Sequence, residues 1–270
     1  MKGDQKKVVL EVLITNELKK LEQEHDIRIL YAVESGSRAW GFASKDSDWD
    51  VRFIYVHHPD WYLSIDDKKD SLEVMLPKDL DFAGWELKKA LKLFRKSNPP
   101  LLEWLRSPLL YLEQYSAAEQ LRKLSREYFN PRSCIYHYLH MAENNFKSYL
   151  LGERVRVKKY FYMLRPVLAC KWIEATNTIA PMEFMDLVSS QVKEEALRRE
   201  IDQLLERKMS GEELDQEPRI DVIDQFLESE LQHLREIVAE FDINLKPDTT
   251  KLDDLFRSTL KEVWGYGMHA

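Results

Sequence analysis

The sequence holds little glycine, little cysteine and no long apolar run. Eight glycines among 270 residues is about 3%, under half the usual share of roughly 7%, which excludes collagen-like and glycine-rich linker chains. Two cysteines, Cys134 and Cys170, are too few for a disulfide framework. No stretch approaches the roughly 18 apolar residues that a spanning helix needs. Charges also run through the N-terminal MKGDQKKVVLEVL, where a signal peptide would be apolar. The expectation is a cytoplasmic chain with reduced thiols and no membrane partner. What is present, 44% hydrophobic, 11% aromatic and 32% charged residues, is the balance of a globular protein and excludes disorder.

The formal net charge of −7 is unevenly spread. Residues 1–100 carry 18 acidic and 17 basic side chains, residues 101–180 carry 7 and 12, and residues 181–270 carry 22 and 11. The middle segment can face an anionic ligand, whereas the acidic C-terminal segment repels nucleic acid and reads as scaffold or as the surface of a homodimer.

Leu10, Leu13, Ile14, Leu18 and Leu21 recur at helical spacing and predict a helix over 8–24. Runs rich in β-branched and aromatic residues predict strands over 27–33, 48–56, 72–76 and 80–83. The last runs into a helix over 85–96 that Asn98-Pro99-Pro100 ends. Beyond 101 the strand signal shrinks to 108–112, and helices are expected near 116–128, 133–151, 155–176, 181–207, 218–240 and 249–263. Strands followed by helices predict an α+β domain over 1–110 and an all-helical domain over 111–270, with binding in the cleft between them.

Chemistry concentrates in residues 33–56, VESGSRAWGFASKDSDWDVRFIYV. Residues two apart on a strand share a face, which sets the Cα atoms of Asp48 and Asp50 roughly 6.5–7 Å apart. Two anions that close call for a cation, and a pair of divalent ions bridged by carboxylates is one answer. Gly36-Ser37, at a strand end with a turn or helix following, offers unobstructed N–H groups and a hydroxyl, which suits phosphate. Arg38, Lys45 and Arg52 lie close by, and Arg38 and Arg52 are the better placed for phosphate contacts. A salt bridge from Arg52 to Asp50 is equally expected and compatible with that role. The basic run Arg154, Arg156, Lys158 and Lys159, followed by Tyr160, Tyr162 and Arg165, reads as a solvated face or as a contact for an acceptor or nucleobase.

Gly-Ser, ten intervening residues and Asp-X-Asp on an apolar strand resemble the signature of the DNA polymerase beta-like nucleotidyltransferase superfamily. The wider segments GSRAWGFASKDSDWDVRFIYV, WYL at 61–63, DFAGWELKKALKLFRKSNPPLLEWL at 81–105 and YFYMLRPVLACKW at 160–172 are similar to one branch. That branch is the YcgL-type predicted nucleotidyltransferases, or RNA-repair-pathway DNA polymerase beta family, and the likeness covers most of residues 30–175. It implies a mixed β-sheet core and transfer of a nucleoside monophosphate from a nucleoside triphosphate, ATP included, to an acceptor hydroxyl, with release of pyrophosphate.

By the same resemblance Asp48 and Asp50 are catalytic ligands of two magnesium ions, replaceable by manganese, and Gly36 and Ser37 hold the triphosphate. A third carboxylate on a later apolar strand is also implied. Asp81, between Leu80 and Phe82, is favoured because it leads directly into a helix, and Glu73, between Leu72 and Val74, is the alternative. The acceptor stays open among an RNA end, a protein side chain and a small molecule. A non-catalytic nucleotide-binding regulator or antitoxin is the rival reading, against which the presence of both Asp48 and Asp50 counts.

Overall fold

A computed structural model of the chain describes residues 2–77, 79–150, 152–212, 214, 216–240 and 247–265. Helix α1 (Lys2–His25) leads into strand β1 (Ile27–Glu34), a single helical turn α2 (Gly36–Ala39) and β2 (Trp49–His57). The short α3 (Pro59–Tyr62), β3 (Ser71–Leu76), β4 (Leu80–Glu86), α4 (Leu87–Arg95), α5 (Pro99–Trp104) and β5 (Leu110–Glu113) follow. The five strands form one mixed sheet in the order β3-β4-β2-β1-β5. Only β2 and β4 pair in parallel, Trp49–Tyr55 running beside Leu80–Glu86. The remaining pairs, β1 with β2, β1 with β5 and β3 with β4, are antiparallel.

Alternation along the strands separates two cores. Val51, Phe53 and Tyr55 of β2 point with Phe82 of β4 toward Ile14, Leu18 and Leu21 of α1. Ile54 and Val56 point the other way, into a cluster that continues through Leu87, Leu91 and Phe94 of α4 into the helices beyond. Asp50 and Arg52 share that second face, because strand side chains alternate. The parallel pairing demands a close approach: a Cβ on Gly84 would lie 2.1 Å from the Phe53 ring.

The C-terminal part comprises α6 (Ala117–Tyr128), α7 (Pro131–Tyr149), α8 (Phe161–Thr176), α9 (Phe184–Gln191), α10 (Glu195–Ser210), α11 (Asp221–Ala239) and α12 (Thr250–Trp264). The expected fold class is present, with a helical region behind a mixed sheet. In the helical region two details differ from the sequence expectation. The helix expected over 155–176 is preceded by β6 (Arg154–Arg156), which pairs with β7 (Gln216–Pro218), and by a 3-10 turn over Val157–Tyr160. The helix expected over 181–207 is two helices, parted by extended backbone at Val192 and Glu194. Position 151 of the helix expected over 133–151 lies outside the described residues. The strand near 110 pairs with β1, so the sheet reaches Glu113.

Candidate active site

β1 ends at Glu34, and the chain turns through Gly36 at φ +58°, a left-handed conformation that costs glycine little. A Cβ at Gly36 would lie 2.0 Å from Asp50 Oδ2. The missing side chain therefore makes room for a carboxylate of the site itself, besides leaving the turn's backbone unobstructed. The α2 turn has four residues, and at that length its dipole is small. Ser37 is half-buried beside it.

The parallel register sets Asp50 directly beside Asp81. Arg52, one step along the same face, donates from Nη2 to Asp50 Oδ1 at 2.9 Å and to Asp81 Oδ2 at 2.8 Å. Its Nη1 reaches the Asp81 carbonyl at 2.9 Å. The other oxygen of each carboxylate has no hydrogen bond among the described residues. Glu73 lies on edge strand β3, exposed and paired with Ala83, one strand farther from Asp50 than Asp81 is. Asp48 precedes β2 and is exposed.

Burial raises the pKa of Asp50; Arg52 opposes the shift, and the charges of Asp81 and Asp48 add to it. The carboxylates of Asp81 and Asp48 thus both act on Asp50. Arg38 is held away from a purely ligand-facing role: it donates to the carbonyls of Asp48 at 3.0 Å and Ser47 at 2.6 Å. Its guanidinium also lies 3.7 Å from the Trp49 ring centroid. Lys45 is exposed.

Glu34 is a site residue that the sequence reading did not single out. It is fully buried, accepts the Asp50 N–H at 2.9 Å through Oε1 and takes the Tyr111 hydroxyl on Oε2. Burial pushes its pKa up to about 7, against hydrogen bonds from Tyr111 and Asp50. The available signal was an acidic residue closing the apolar run 29–33, two residues before Gly36. The basic run singled out in the sequence divides. Tyr160 is fully buried and bonded to Asp224, and Arg165 is buried against Glu103. Lys158, Lys159 and Tyr162 remain at the surface or half-buried. Lys208, from α10, joins them and senses the charges of Lys158, Asp48 and Arg38.

Among the described residues, no three His, Cys, Asp or Glu side chains gather tightly enough to form a metal-binding group. In kind, however, the donors fit a hard divalent cation. They are carboxylate oxygens, two of them paired in register, and the single charge of Arg52 bridges both.

The model of the RNA repair pathway DNA polymerase beta family matches residues 10–258. The chain belongs to that family. A protein of Bacillus subtilis (strain 168), named YcgL and described as uncharacterized, is 53% identical over 254 residues, covering 94% of this chain and 98% of its own. A nucleotidyltransferase-like protein from Exiguobacterium sibiricum 255-15 is similar over 91% of this chain and 89% of its own, at 11% identity and a TM-score of 0.31. Among the described residues no helix is long and apolar enough to cross a membrane.

Proposed function

We propose that the chain is a divalent-metal-dependent nucleotidyltransferase that moves a nucleoside monophosphate from a nucleoside triphosphate to an acceptor hydroxyl. The observation that carries this reading is the in-register pair Asp50–Asp81 next to the Gly36-Ser37 turn, in a chain of this family. Asp48, Asp50 and Asp81 are the residues that would hold magnesium or manganese. A bound divalent ion supplies neutralisation of the leaving pyrophosphate and a lowered pKa for the attacking hydroxyl.

The chain's own residues do the rest. The Gly36-Ser37 backbone and the Ser37 hydroxyl bind phosphate oxygens. Glu34 fixes the backbone at Asp50 through its N–H, and Arg38 fixes the loop at Ser47 and Asp48. Arg52 holds Asp50 and Asp81 side by side and is placed to meet phosphate charge. In the transfer the acceptor hydroxyl gives its proton to water, its oxygen bonds to the α-phosphorus, the bond from that phosphorus to the bridging oxygen breaks, and pyrophosphate leaves with its electron pair. The acceptor we favour is an RNA end, in keeping with the family's description.

A second reading has one observation in its favour. Arg52 already neutralises part of the Asp50–Asp81 pair, as would suit a nucleotide-binding regulator without catalysis. Incubation of the purified protein with magnesium and α-labelled triphosphates, over RNA ends, proteins and small molecules, separates these. Label on RNA supports the proposal. Label on another acceptor keeps the chemistry and moves the substrate, and nucleotide binding without transfer favours the regulator.

A further inference from the structure

Near the carboxylates, the start of α8 presents an aromatic and cationic surface to which the transfer chemistry gives no role. Tyr162 is 44% exposed, although Phe161 and Met163 on either side are fully buried. Its ring meets Trp40 edge-on at a centroid separation of 6.2 Å, and Trp40 directly follows the Gly36–Ala39 turn. The charges of Asp50 and Asp48 reach the Tyr162 hydroxyl and, after burial, help to raise its pKa. The exposed tyrosine therefore stands beside the turn and the aspartates, on the helical side of the site.

Lys159 shapes the same surface. Its Nζ lies 4.6 Å from the Tyr162 ring centroid and 4.5 Å from that of Tyr149. Among the described residues Lys159 makes no ion pair, so two tyrosine rings hold the ammonium. A cation kept by rings retains its charge for an incoming anion. Lys158 and Lys208 add two more ammonium groups, close enough for Lys158 to help burial lower the pKa of Lys208. An exposed aromatic ring with a cation against it fits a nucleobase with its attached phosphate. Aromatic stacking accepts any base, and the cations meet the backbone. An acidic peptide would need the cations alone and would leave the ring unused.

We propose that Tyr162, with Lys159 held between it and Tyr149, is a stacking platform for a nucleobase bound beside the Gly36-Ser37 turn. The base belongs either to the incoming triphosphate or to the acceptor's terminal nucleotide. The inference rests on the transferase reading for where the phosphates lie, and base binding is measured without turnover.

Equilibrium binding of ATP, inorganic triphosphate and a short single-stranded RNA, each with magnesium, is compared for wild type, Tyr162→Ala, Tyr162→Phe and Lys159→Gln. The expected result is about tenfold weaker binding of ATP or of the RNA by Tyr162→Ala. Tyr162→Phe should stay near wild type, inorganic triphosphate should bind Tyr162→Ala unchanged, and Lys159→Gln should lose about threefold. Loss on ATP assigns the platform to the donor base, and loss on the RNA assigns it to the acceptor. Unchanged binding of both overturns the proposal, as does an equal loss on inorganic triphosphate or a wild type that binds neither ATP nor RNA. Base-dependent binding without nucleotide transfer in wild type overturns the transferase reading alone.

Discussion

Asp50 is held from three sides: Arg52 at Oδ1, Glu34 beneath its N–H, and the bare Cα of Gly36 beside Oδ2. Gly36→Ala places a methyl group where that carboxylate lies, on a backbone at φ +58°. The expected cost is about 1–3 kcal/mol in urea unfolding, together with loss of transfer activity. A variant that keeps both its midpoint and its activity contradicts this packing. His57 gives a prediction of opposite character. Its ring stacks on Trp61 at 4.2 Å. Burial first, then the charges of Lys68 and His25, push its pKa down to about 4, against Asp26. The unfolded chain takes up this proton near pH 6.5 and the folded one near 4. The contribution to stability is thus complete above about pH 6.5 and is lost as pH falls toward 4. Urea midpoints should decline over that range, and His57→Gln should flatten the decline.

At the scale of elements, the site depends on the β2–β4 register, and the register depends on Gly84 beneath Phe53. Gly84→Ala overfills a buried contact, with an expected cost of about 1–3 kcal/mol. Gly84→Ala combined with Phe53→Leu should recover part of it in the same unfolding measurement. The strands were legible because β-branched residues alternate or cluster in them, and the Asp48–Asp50 spacing translates directly into a shared face. The breaks in the helical part were not. Val192–Glu194 carries no glycine or proline to mark the interruption, and the β6–β7 ribbon pairs Arg154 with Pro218 across more than sixty residues, a contact that periodicity cannot register.

Across the whole molecule, Arg165 ties the helical part to the turn over Gly36–Ala39 through the Trp40 that follows it. It is 2% exposed, pairs with Glu103, and lies 4.7 Å from the ring centroid of Trp40. Tyr138 donates to the same Glu103 at 2.7 Å. Arg165→Met leaves the part-buried Glu103 without its cation, at an expected cost of about 1–3 kcal/mol. Arg165→Met with Glu103→Gln should unfold at higher urea than Arg165→Met alone; equal midpoints contradict the pairing. The sequence exposes the local half of the site, Gly36, Ser37, Asp48 and Asp50, because those residues follow one another along one turn and one strand. Asp81 is favoured over Glu73 already from its run into a helix, but its place beside Asp50 and the parts played by Glu34 and Lys208 depend on register and on helix packing, which the folded chain displays.

The central claim is that the Asp50–Asp81 pair supports nucleotide transfer. The most direct measurement follows label from α-labelled ATP to RNA ends in the presence of magnesium, for wild type and Asp50→Asn. The account predicts label on the RNA with release of pyrophosphate, and a loss of about a hundredfold or more in Asp50→Asn, the scale of removing one charge-stabilising group. Transfer at equal rates by both proteins, or none by wild type to any acceptor, would contradict it.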